Sequence, residues 1–283
     1  MEKSNQERLE SLSKERARNE SDKRFVLSKE AFSVQRLDAV KQEVDRLKEK
    51  YPEVLSLCLF GSMVKGTAHE GSDIDGELFI DTSIIARQEG VSEDQILDST
   101  PNRNRGYLTE EVAKKYLLEL RAAIKEKTGL TDEGVKHIRS MPISEKVIND
   151  RIASAQLYYE KRKHIANERG AYTQKLLDWQ RNKPPRGSSI DLMLEHEKNK
   201  PSYPKLPDFV STGLGPLFHL DVGGGIRTYR KLFIDKLVAR GEVGEQIWAD
   251  TISSTIDMEN NFSNVPDKRY PRTLKEAQEV YAR

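Results

Sequence analysis

Two short apolar runs, joined by a glycine-rich return, constrain this chain more than any other feature. The first is Leu55-Ser-Leu-Cys-Leu-Phe-Gly-Ser62; the second is headed by Gly71-Ser-Asp-Ile-Asp75. Val54 to Phe60 reads as a strand buried on both faces, because it is short, apolar and bounded by Pro52 and Gly61. Gly61 permits a sharp turn and a close backbone approach to a ligand. Ser62 offers a hydroxyl, and a short helix predicted over Met63 to Ala68 would aim amides at an anion. Gly66 and Gly71 permit the return, and a second strand is predicted from about Asp73 to Ile80.

Side chains at i and i+2 of a strand share a face. Asp73 and Asp75 therefore project together, with Cα atoms roughly 6.5 to 7 Å apart. Two carboxylates so placed repel unless a cation lies between them. Mg²⁺ takes carboxylates together with substrate phosphates, and paired metals hold the two oxygens of an in-line displacement. The expectation is that Asp73 and Asp75 bind two Mg²⁺ ions. Gly61 and Ser62 would hold the β- and γ-phosphates of a nucleoside triphosphate, with Lys65 and Ser72 beside them. An acceptor would attack the α-phosphorus and release pyrophosphate.

The stretch from Phe60-Gly-Ser62 to Ser72-Asp-Ile-Asp75 resembles the signature of the DNA polymerase β-like nucleotidyltransferase superfamily, whose members include aminoglycoside and minimal nucleotidyltransferases. The resemblance implies an α/β fold: a mixed sheet with helices, followed by an α-helical C-terminal domain. It also implies NTP (here read as ATP) as donor, Mg²⁺ as cofactor, and the two motif aspartates as metal ligands. A small-molecule hydroxyl is the first-choice acceptor. A tRNA end or a protein hydroxyl is second, and a non-catalytic nucleotide-binding protein is the reading from another class.

The family pattern supplies a third carboxylate from a later strand. The natural third strand here, Val135 to Ile143, contains no acid; His137 or Arg139 would face the site depending on register. Glu77 is the first candidate for the third catalytic acid, because it shares a face with Asp73 and Asp75. Asp221, in the strand-like Leu217 to Val222, is the second, and Asp191 the third. His137 is an alternative base, since an imidazole titrates near neutrality.

Charged residues make up 33% of the 283, hydrophobic ones 36%, and the net charge is +1. No global field draws such a chain to nucleic acid or membrane. The one cysteine, Cys58, lies inside an apolar strand and reads as a core residue, so no intramolecular disulfide forms and a cytoplasmic location is expected. The charged N-terminus lacks a secretory apolar region, and no apolar run approaches the roughly 20 residues of a membrane span.

Three regions are predicted: a charged tail or helix over 1–27, a nucleotidyltransferase domain over 28–150, and a helical domain over 151–283 with a Pro/Gly-rich loop at about 182–216. In the first domain, Leu37, Val40, Val44 and Leu47 mark an amphipathic helix, and Val112, Tyr116, Leu120 and Ile124 mark another that ends at Gly129. Basic and aromatic residues around Tyr158 and Lys161 are interleaved with acids, so they read as a charged helix rather than a nucleic-acid surface. In the last region, Phe233 and Leu237 mark one helix, Trp248 and Ile252 the next, and Thr273-Leu-Lys-Glu276 caps a third. Arg227, Arg230 and Glu259 are candidate residues of an acceptor cleft.

Overall fold

The computed structural model describes residues 30–65, 67–97, 108–161, 220–262 and 271–281. Among these, residues 30–149 and 220–281 lie in one compact unit and 150–161 in a second.

Four strands form one mixed sheet in the order β3-β2-β1-β4. They are β1 (Val54–Phe60), β2 (Asp75–Asp81), β3 (Ile138–Ile143) and β4 (Leu220–Val222). β1 is antiparallel to both neighbours, pairing Phe60 with Asp75, and Cys58 with Glu77 on one side and Asp221 on the other. β3 runs parallel to β2, pairing Gly76 with Ile138 and Glu77 with Arg139. A parallel pair needs a long crossover. Here it contains α3 (Thr82–Glu89), α4 (Glu93–Ile96), α5 (Glu110–Thr128) and α6 (Asp132–Val135). Upstream lie α1 (Ala31–Lys50), before β1, and α2 (Ser62–Lys65), after it.

One face of the sheet is covered by α1 and α5. The stripe Leu37, Val40, Val44 and Leu47 meets Leu57 and Leu59 of β1, Leu78 and Ile80 of β2, and Tyr116, Leu120 and Ile124 of α5 in a single apolar cluster. Each fully buried aliphatic side chain contributes about 1.5–3 kcal/mol. The opposite face carries Cys58, Glu77 and Asp221, which alternate with those apolar positions along their strands. A helix over 145–161 (α7) follows β3, with the Ser144 hydroxyl accepting from the Val147 amide at 3.1 Å. After β4 come α8 (Arg227–Val238), α9 (Glu242–Phe262) and α10 (Leu274–Tyr281). From α8, Arg230 reaches Cys58 and the Tyr229 hydroxyl donates to Asp81. Gly244 of α9 packs so closely that a Cβ there would sit 1.9 Å from the Leu237 carbonyl oxygen.

The fold class expected from the sequence is the one observed, with helices following the sheet. Local bounds differ in two places. The helix after Gly61 covers Ser62–Lys65 rather than Met63 to Ala68, and β2 begins at Asp75, not Asp73. Just upstream of β2, the Ile74 amide donates to the Gly134 carbonyl of α6 at 2.8 Å. No described helix is long and apolar enough to cross a membrane. The expected tail over 1–27 and the loop at about 182–216 lie outside the described residues.

Candidate active site

The two motif aspartates meet at the open end of β1. Phe60, the last residue of β1, faces Asp75, the first of β2, so the turn at Gly61 lies directly beside the Asp75 carboxylate. Gly61 has φ +72°, and a Cβ there would be 2.3 Å from Asp75 Oδ2. The left-handed backbone and the close approach both require glycine. Ile74, between the aspartates, is buried in the apolar cluster. With Ile74 packed inward, the half-exposed Asp73 and Asp75 on either side of it bring a carboxylate oxygen each to within 4.8 Å of the other.

The return from α2 is held by a residue whose part was not read from the sequence. Arg36 of α1 is buried, and its guanidinium donates to the carbonyls of Ser72 (2.9 Å), His69 (3.4 Å) and Glu70. Ser72 completes the loop: its hydroxyl accepts from the His69 amide at 3.0 Å, and its own amide donates to the His69 carbonyl at 2.9 Å. Burial lowers the Arg36 pKa, against an opposing pull from the Glu70 carboxylate. The inward stripe of α1 contained the signal, since Arg36 stands four residues before Val40.

His137, one of the two residues of the third strand expected to face the site, is brought to the aspartates. It lies just before β3, and its carbonyl accepts from the Gly76 amide at 3.5 Å. Its Nε2 lies 3.4 Å from Asp73 Oδ2. One ligating atom from each of Asp73, Asp75 and His137 falls within 4.8 Å of the others. This cluster forms part of the wall of a cavity of about 1050 Å³, together with Gly61, Ser62 and Ser72. The donor set suits a divalent cation: two carboxylates of the type Mg²⁺ accepts, half-exposed to a space large enough for phosphates.

The remaining expected residues are placed elsewhere. Glu77 and Asp221 flank Cys58 from either side, are 6% and 2% exposed, and do not line the cavity. Arg230, expected at a cleft wall, is buried with them: its Nη2 lies 3.7 Å from Cys58 Sγ, while Cys58 Sγ lies 4.0 Å from Asp221 Oδ1. Burial, then the Asp221 carboxylate, pushes the Cys58 thiol well up against the opposing pull of Arg230, so it remains a neutral core group. Arg139 is exposed on β3. Arg227 begins α8. The side chains of Lys65 and Glu259, and all of Asp191, lie outside the described residues.

No curated protein and no solved structure matches the chain. Residues 40–136, which span β1, both aspartates and the approach to β3, match the family model of the nucleotidyltransferase domain, a similarity consistent with the DNA polymerase β-like superfamily.

Proposed function

We propose that the chain transfers a nucleoside monophosphate from a nucleoside triphosphate, ATP by preference, to the hydroxyl of a small molecule. A nucleotidyltransferase domain supports nucleoside monophosphate transfer in general. The observation that carries the finer reading is the meeting of Asp73 and Asp75 at a cavity wall beside Gly61 and Ser62. Asp73 and Asp75 would hold a divalent cation, Mg²⁺ in the family pattern, which would supply neutralising charge to the triphosphate. The Ser62 hydroxyl and the backbone freed by Gly61 bind phosphate oxygens. The acceptor oxygen forms a bond to the α-phosphorus, the bond to the bridging oxygen breaks, pyrophosphate departs and the hydroxyl proton passes to solvent. Catalysis of this kind comes from positioning and electrostatics. The cavity's volume of about 1050 Å³ is slightly above the roughly 300–1,000 Å³ of small-molecule sites, which supports a bound nucleotide.

Incubating the protein with α-labelled nucleotides and cell extract tests this reading. Label should enter the small-molecule fraction and depend on Asp73. Label entering tRNA or protein would move the acceptor to the alternative class. One observation favours a second reading, nucleotide binding without transfer: the third group in the cluster is an imidazole, not a carboxylate. Calorimetric binding of NTP with no pyrophosphate release against any acceptor pool would support it.

A further inference from the structure

We propose that His137 is a direct metal ligand and that it makes the site prefer Mn²⁺ to Mg²⁺. The inference rests on the nucleotidyltransferase reading and specifies the cation of that same site.

The geometry comes first. Adjacent ligand atoms around an octahedral cation of this size stand ~3 Å apart, given metal–ligand distances near 2.1 Å. His137 Nε2 and Asp73 Oδ2, at 3.4 Å, are within a few tenths of an ångström of that spacing. The two side chains are 38% and 39% exposed, so a cation can enter from the cavity without unfolding anything.

The cluster is also preorganised by the backbone. Asp73 and Asp75 flank Ile74, whose amide is tied to Gly134. His137 is tied to Gly76 through its carbonyl. The mouth of the parallel β2–β3 pair thus fixes all three residues relative to one another. Arg121 of α5 adds a clamp, donating to the Lys136 carbonyl at 3.0 Å and to the Ile138 carbonyl, on either side of His137. Ligands held this way lose little entropy on binding an ion.

The chemistry then selects the ion. Mg²⁺ is a hard cation that takes oxygen donors and retains its waters. Carboxylates suit Mg²⁺ and Mn²⁺ alike, whereas an imidazole nitrogen is favoured by Zn²⁺, Cu²⁺, Fe²⁺ and Ni²⁺, and Mn²⁺, at the weak end of that first-row series, still takes it more readily than the hard Mg²⁺. Two carboxylates keep the site hard enough for phosphate chemistry; one nitrogen shifts the balance towards Mn²⁺.

Pulsed electron paramagnetic resonance on the full chain with MnCl₂ alone gives the test, beside titrations of Mn²⁺ and Mg²⁺ binding. The expected result is a ¹⁴N coupling of imidazole strength and at least tenfold tighter binding of Mn²⁺ than Mg²⁺. In His137→Ala the coupling should vanish and the preference fall towards parity, with an unchanged circular dichroism spectrum. Bound Mn²⁺ without ¹⁴N coupling, coupling that persists in His137→Ala (His69 also lines the cavity), or no Mn²⁺ binding would each overturn the proposal. The labelled-nucleotide assay separates the two readings. Asp73-dependent transfer without ¹⁴N coupling leaves the enzyme standing and removes the histidine ligand. Coupling without any transfer leaves the metal site and removes the enzyme.

Discussion

The Tyr116 hydroxyl donates to Glu53 Oε1 at 2.7 Å, joining α5 to the residue just before β1, and both side chains are buried. Lys115 Nζ lies 3.6 Å from the same oxygen, and the Glu53 carbonyl accepts from the Asp81 amide at 2.8 Å. Burial, then the Glu53 carboxylate, pushes the Tyr116 phenol far above its usual range, so it stays a donor. Tyr116→Phe leaves a buried carboxylate short of one partner. The expected loss is about 1–3 kcal/mol of stability, measured by urea unfolding.

Replacing Asp73 or Asp75 with Asn keeps shape and removes charge. Turnover, read as pyrophosphate release, should fall by about 10²- to 10⁴-fold, because charge stabilisation dominates such transfers. The thermal midpoint should hardly move. Full activity in either purified variant would sink the proposed function.

Gly61→Ala tests the turn. The alanine Cβ must occupy space 2.3 Å from Asp75 Oδ2 at a positive φ. The backbone cost is about 1–2 kcal/mol. The carboxylate must also shift, so nucleotide-transfer activity should fall by more than the stability change explains. Calorimetric unfolding together with the labelled-nucleotide assay separates the two effects.

Part of the acid limb of stability should trace to Glu119, beside Glu43, whose pKa is also lowered, against its burial, by Lys127 and Arg46. Burial alone would raise the Glu119 pKa, but hydrogen bonds from Arg46, Lys50 and Tyr51 outweigh that and take it from 4.5 to about 2. A folded-state pKa below the unfolded one stabilises above the unfolded value and is lost as pH falls. The window is therefore pH 4.5 down to about 2. Glu119→Gln should lower stability by about 1 kcal/mol at neutral pH and flatten the dependence in that window, as measured by denaturant titration at stepped pH.

Much of the fold was legible because its signals are local. Pro52 and Gly61 bracket β1, and the 37/40/44/47 stripe of α1 is the one that buries. Gly90, Gly129 and Gly241 all adopt the positive φ that ends or separates helices. The rest depended on distant partners. Whether His137 or Arg139 faces the aspartates follows from the β2–β3 register, which no local pattern states; Glu77 pairs with Arg139, and His137 falls beside the first rung. The place of Arg36 on the inward side of α1 is local, but its role follows only from the carbonyls of a loop more than 30 residues away that surround it. Glu77 shares the strand alternation of Asp75 but lies deeper, opposite Cys58, where strand periodicity gives no depth.

The second neighbour of β1 has consequences for how the molecule assembles. Asp221 meets Cys58 across 163 positions of chain, through a strand of only three residues. Contacts of such long sequence separation form late and slow folding. A nascent chain that ends before Leu220 presents one side of β1 as an unpaired edge, open to other copies. Truncations in this region should therefore aggregate during synthesis, although every motif residue is already present.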